Sequence, residues 1–194
     1  MSSIAEKNPN PQGKGLVAVL QDLGGMKPVL HGRKTPSDFL RDYCLSSLVL
    51  AANFRIKPVI GKCYYLYWTQ QGWSLSLVAP AEWVERMPGD FLAPCLLRAD
   101  MTWFIDTSEL DETSEASTMA QYFISSFFET LAEQKNLTTH LPFYVEHLPY
   151  YQRILGTALA SSLQRSIPPE ANDLKKLLRR LTDEREVECL LLKN

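Results

Sequence analysis

The sequence predicts an α+β protein, a small antiparallel β-meander packed by flanking α-helices. Three observations carry that reading. Residues 63–79 read CYYLYWTQQGWSLSLVA, an aromatic run, a glycine turn and then a strictly alternating run. Alternation with period two marks a strand with one buried face. Three other segments, about 36–53, 114–134 and 149–165, repeat apolar residues at helical spacing. The connections between the predicted strands are short, which favours antiparallel neighbours over parallel crossovers.

Residues 1–14, MSSIAEKNPNPQGK, read as an extended arm. Leu16, Val17, Val19, Leu20 and Leu23 suffice for a short amphipathic helix over 15–23, and Gly24-Gly25 ends it. Residues 26–34 form a basic connector. Thr35 is a good N-cap for the helix over 36–53, with Pro36 in its first turn and Asp38 three residues after the cap. Phe39, Leu40, Tyr43 and Leu48 sit among apolar residues that cover much of its circumference, so this helix packs on more than one side. A strand over 63–68 is followed by a turn with Gly72 where a positive φ is needed, then by a second strand that Pro80 ends. Residues 80–86 suit a short helix. Residues 91–97 and 102–105 suit further strands, and Pro94 places the first of these at an edge or bulge.

Residues 106–118, DTSELDETSEAST, hold five acids and no base. They lead into the helix over 114–134, whose stripe is Ala120, Phe123, Ile124, Phe127, Phe128 and Leu131. The helix over 149–165 has Pro149 near its start. A further helix begins near 172, with Leu174, Leu177, Leu178 and Leu181 inside and Lys175, Lys176, Arg179 and Arg180 outside. Residues 187–192 extend it or form a last strand. The expected organisation is an arm, helix and meander over 1–106, an acidic linker over 107–118 and a helical lobe over 119–194, which can also close onto 1–106 as one domain.

The 194 residues are 45% hydrophobic and 22% charged, the proportions of a globular chain, not a disordered one. No run reaches the 18 apolar residues that would suggest a spanning helix, and residues 1–15 lack the apolar core of a secretory signal. The net charge of −2 is a cancellation: +5 over 1–62, none over 63–81, −9 over 82–134 and +2 over 135–194. That balance excludes a strongly basic nucleic-acid binder. Cys44, Cys63, Cys95 and Cys189 lie in apolar runs without metal-ligand spacing, so they read as buried free thiols in the cytoplasm.

Tyr64-Tyr65-Leu66-Tyr67, Ser74 and Ser76, Pro80, Glu82-Trp83, Pro88, Asp90-Phe91-Leu92, and Asp100 with Trp103 follow one another in order. The order resembles an uncharacterised conserved family, a domain of unknown function. Its pattern is YYLY, a glycine turn, a serine-rich strand, an SP-x-EW corner, a DFLG-like step and a D-x-x-W end. The chain departs from it at Ala79 before the proline, Val84 after the tryptophan and Ala93 at the DFLG-like step. The match at 64–103 covers about a fifth of the chain. The resemblance implies a common fold and no reaction.

All four tryptophans fall in this segment. Tyr65, Tyr67, Trp73, Glu82, Trp83, Asp100 and Trp103 are the candidate ligand-binding residues. They would form an aromatic platform able to stack a base, a sugar or a cation. The simpler account is a cross-strand aromatic core under the helices, with Trp68 and Trp73 pairing across the turn. Glu82 and Asp100 suggest an acid–base pair, although such residues more often cap turns. No nearby histidine or serine arrangement supports a nucleophile, so no catalytic residue is assigned. His140 and His147 are seven apart, but Pro142 and Pro149 make two turns the simpler account. Residues 8–15 lack phosphate-loop spacing.

The reading is a cytoplasmic, non-enzymatic binding or adaptor module that uses its aromatic sheet or a helical groove. A small-molecule-binding protein or enzyme, with its pocket between sheet and helices, is the alternative. Nucleic-acid binding is the weaker one. No cofactor and no metal is called for. The expected partner is a protein or a small ligand and not a membrane, with a homodimer left open.

Overall fold

The computed structural model describes residues 24–29, 32, 34–84, 86–133 and 148–167. Within them lie α1 (Pro36–Leu50), β1 (Cys63–Thr69), β2 (Gly72–Ser76), β3 (Asp90–Leu97), β4 (Trp103–Ile105), α2 (Glu115–Glu133) and α3 (Tyr150–Ser166). Pro80–Glu82 form one 3-10 turn. The chain is α+β with an antiparallel sheet. The helices expected over 15–23 and from 172, residues 187–192, and His140 and His147 lie outside the described residues. Gly24 and Gly25 are themselves helical, and Met26 begins the turn.

Thr35 is extended, and its Oγ1 accepts the Asp38 N–H at 3.1 Å, so α1 starts where the cap predicts. The helix ends at Leu50, short of the expected 53, because the next residues have other partners. The buried Gln152 of α3 donates to the Ala52 carbonyl and, at 3.4 Å, to that of Leu50. Asn53 joins the free edge of β2: its N–H donates to the Trp73 carbonyl at 2.7 Å, and its carbonyl accepts from Leu75 at 3.1 Å. At the other edge the Trp103 N–H of β4 donates to Ser46 Oγ of α1 at 2.8 Å. Both edges therefore have part of their ladder satisfied, which disfavours pairing with another chain.

The strand order is β2-β1-β3-β4. β1 and β2 are a hairpin with Trp68 opposite Trp73 and with Gly72 at φ 102°. Residues 77–89 then pass across β1 to reach β3. The β1–β3 register shifts between Leu66 and Tyr67, which oppose Ala93 and Phe91, so Leu92 is the extra residue of a bulge. Leu92 is buried in the core. Pro94 lies in a central strand, not an edge. Its carbonyl accepts from Asp106 at 2.9 Å, beyond the end of β4 at Ile105. In an antiparallel ladder N and C=O of one residue point the same way, so the missing N–H falls where β4 has stopped.

The helices cover one face. Tyr64 and Leu66 of β1 meet Leu45, Leu48 and Val49 of α1, Ala120 and Ile124 of α2, and Leu155 of α3 in one buried cluster. Phe39, Leu40, Tyr43, Leu131, Leu159 and Leu163 form a second cluster among the helices. Each such side chain contributes roughly 1.5–3 kcal/mol by leaving water. Met101 tightens the β3–β4 turn at φ 67°. That region normally selects glycine or asparagine. Here the side chain enters the core, and its burial offsets a strain of about 1–3 kcal/mol. Cys44 and Cys95 are buried, and burial pushes both thiols well above the usual range. Cys63 departs from the expectation of buried thiols, because it opens β1 with its side chain exposed.

Candidate functional site

The face of the sheet opposite the helices carries Tyr65, Tyr67, Glu82 and Trp83. Tyr67 is fully buried there by the crossing segment. Its hydroxyl donates to the Val78 carbonyl at 2.9 Å and accepts the Trp83 indole N–H at 3.1 Å. The Tyr67 ring stands edge-on to Trp83, with centroids 6.2 Å apart, and tilts onto Phe91 at 5.5 Å. Burial raises the Tyr67 pKa against the opposing pull of the Trp83 hydrogen bond. Partial desolvation and then Cys63 raise that of Tyr65. Both phenols therefore stay protonated at neutral pH. The Glu82 Oε2 accepts the Ala79 N–H at 2.8 Å and closes its own 3-10 turn.

Asp100 lies in the β3–β4 turn. Its Oδ2 accepts from Lys34 Nζ at 2.6 Å, and its Oδ1 accepts from the Thr102 N–H and hydroxyl at 3.1 and 2.6 Å. Lys34 also pairs with Asp42, which Arg98 reaches at 3.0 Å. Burial favours the neutral form of Asp100, but the bonds from Lys34 and Thr102 outweigh it and hold the carboxyl below its ordinary range. Burial opposes the charge on Lys34 likewise, and its bonds to Asp100 and Asp42 win and raise it. Glu82 and Asp100 thus have separate partners and separate structural tasks. Trp103 is fully buried, edge-on to Tyr64 at 5.7 Å, where it fills the core.

A recess lies elsewhere, at the turn end of the β1–β2 hairpin. It is a cleft of about 910 Å³ between the hairpin, the 86–90 loop and the start of α2. Trp73, of the seven candidates, lines it together with Trp68. The two indoles meet edge-on at 5.0 Å and 62°, so they pair across the turn as the sequence suggests. The Trp68 Nε1–H donates to Glu115 Oε1 at 3.3 Å, and Asp90 Oδ2 accepts the Glu115 N–H at 3.1 Å. Asn53, Gln70, Gln71 and Arg86 complete the polar wall. Sequence reasoning missed these, along with Glu115, because they come from four separated segments.

One signal lay between two motif residues, Pro88 and Asp90. Gly89 precedes Asp90, and a Cβ there would lie 2.0 Å from the Trp68 carbonyl oxygen. Only glycine lets the loop approach β1 this closely and so form the cleft floor.

The fold and site define a small α+β domain with one face sealed by helices and a polar, tryptophan-walled cleft at one hairpin end. Residues 39–126, from the first turns of α1 into α2, match the model of the family described as Protein of unknown function (DUF2452). The match spans the 64–103 segment whose residue order resembles such a family. No curated protein and no solved structure matches the chain. Among the described residues no helix is long and apolar enough to cross a membrane. Nor is any group of three or more His, Cys, Asp or Glu there placed to hold a metal ion.

Proposed function

We propose that the chain is a cytoplasmic, non-enzymatic binding module that holds a small ligand in the cleft beside the β1–β2 hairpin. The observation that carries this reading is the cleft itself, walled by an indole pair whose geometry is fixed by packing and by Glu115. Concave sites with one rigid aromatic wall and convergent polar groups are where proteins bind small molecules. The acids that suggested catalysis are engaged by Ala79 and by Lys34 and Thr102.

A second reading is an adaptor that docks a protein on the helix-free face. It draws on Tyr65, Phe91, Leu96 and Phe104, which remain half-exposed there. Native mass spectrometry of the full chain in the concentrated small-molecule fraction of its own cell extract separates the two. The cleft reading expects a bound small-molecule mass that Trp68→Ala loses and Tyr65→Ala keeps. A ligand-free wild type, or a bound mass indifferent to Trp68→Ala, contradicts it.

A further inference from the structure

The lining of the cleft narrows what it can hold. We propose that it binds a neutral polyhydroxylated ligand, an oligosaccharide, an inference that rests on the cleft being the binding site. The first reason is the fixed indole. Trp68 is braced by Trp73 on one side and tied through Nε1 to Glu115, so its plane is set before any ligand arrives. A flat apolar wall of fixed orientation stacks on the C–H face of a sugar ring without an ordering cost.

The second reason is the kind of polar group beside it. Asn53, Gln70 and Gln71 present side-chain amides and Ser74 a hydroxyl. These groups both donate and accept, as vicinal hydroxyls require. The third reason is charge. Among the described lining residues, Asp90 and Glu115 stand against one guanidinium, that of Arg86. Phosphate recognition needs the opposite balance, so nucleotides and nucleic acid are disfavoured. Asp90 already accepts the Glu115 N–H and Glu115 the indole N–H. Each carboxylate keeps further acceptor sites for hydroxyls. Apolar walls beyond the indoles are few, Met87 and Pro88, so a lipid chain lacks contact. The volume of about 910 Å³ is at the upper end for small-molecule sites and admits more than one ring.

The test uses the full chain with ¹⁵N-labelled indoles, titrated with maltotriose, cellotriose and triacetylchitotriose, and in parallel with ATP and spermine. At least one trisaccharide is expected to shift the Trp68 indole saturably, with a Kd of about 0.01–1 mM. Trp68→Ala should abolish binding, read at the Trp73 indole, which also lines the cleft. Gln70→Ala, on an exposed turn where folding is not at stake, should weaken it about tenfold, the effect of one lost polar contact. Tyr65→Ala should leave it unchanged. Shifts with ATP or spermine but with no sugar overturn the oligosaccharide assignment and leave the cleft as a binding site. Silence with every probe overturns the assignment, and a ligand-free protein in native mass spectrometry removes the binding reading as well.

Discussion

Tyr64 and Tyr65 are neighbours in one strand and differ in almost everything except residue type. Tyr64 is buried under the helices, with its ring against Trp103 and its hydroxyl accepting the Val59 N–H at 2.8 Å. Tyr65 stands on the helix-free face, half-exposed, tilted at 6.3 Å from Phe91. The tryptophans split in the same way. Trp103 is sealed in the core under the helices, and Trp83 lies on the helix-free face against Tyr67, while Trp68 packs at the margin of the helix-side core, where the hairpin end opens into the cleft. A dense aromatic segment is therefore not one feature. Strand alternation divides it, and the helices decide which half is structural.

That division can be broken by substitution. Trp103→Ala is expected to have the largest effect, a loss of about 3–5 kcal/mol in urea unfolding, because it empties a sealed site. Gly89→Ala should follow, at about 2 kcal/mol. The added methyl meets the Trp68 carbonyl, and the loop must move away from the cleft.

Lys34→Met should be of similar size, about 2 kcal/mol, since it leaves two partly buried carboxylates with one fewer partner. Its pH dependence is diagnostic. Asp100 sits below its ordinary 3.8, so its contribution is present above that pH and lost as pH falls through the folded value. Lys34 sits above its ordinary 10.5, so its contribution is complete below that pH and lost as pH rises through the folded value. The difference between wild type and Lys34→Met should therefore be flat from about pH 5 to 10 and shrink outside that window.

Tyr65→Ala should have the smallest effect, under about 1 kcal/mol by thermal or urea unfolding. A loss matching that of Trp103→Ala would mean that the outer face is as structural as the inner one.

Local chemistry made much of the fold legible. Thr35-Pro36, the alternation of Trp73, Leu75 and their serines, and the stripe from Ala120 to Leu131 each fixed an element within a few residues of its observed place. What escaped was non-local. The end of α1 depends on Gln152, about a hundred positions away, and the place of Pro94 depends on where β4 stops. The strand order depends on residues 77–89 crossing β1, which no local pattern encodes. The cleft was harder still. Trp73 was singled out for its residue type, but Asn53, Arg86 and Glu115 have no pattern in common. Three unrelated contacts bring their segments together: the Asn53 bridge to β2, the close approach at Gly89 and the Asp90–Glu115 hydrogen bond.

The central claim is that the hairpin end around Trp68, and neither the core nor the outer face, receives the ligand. The most direct measurement follows the four indole N–H resonances, assigned by single Trp→Phe variants, as the full chain meets the small-molecule fraction of its own cell extract. The account predicts that Trp68 moves, with Trp73 beside it, while Trp103 stays fixed. Movement of Trp83 with Trp68 unmoved, or no movement at all, would contradict it.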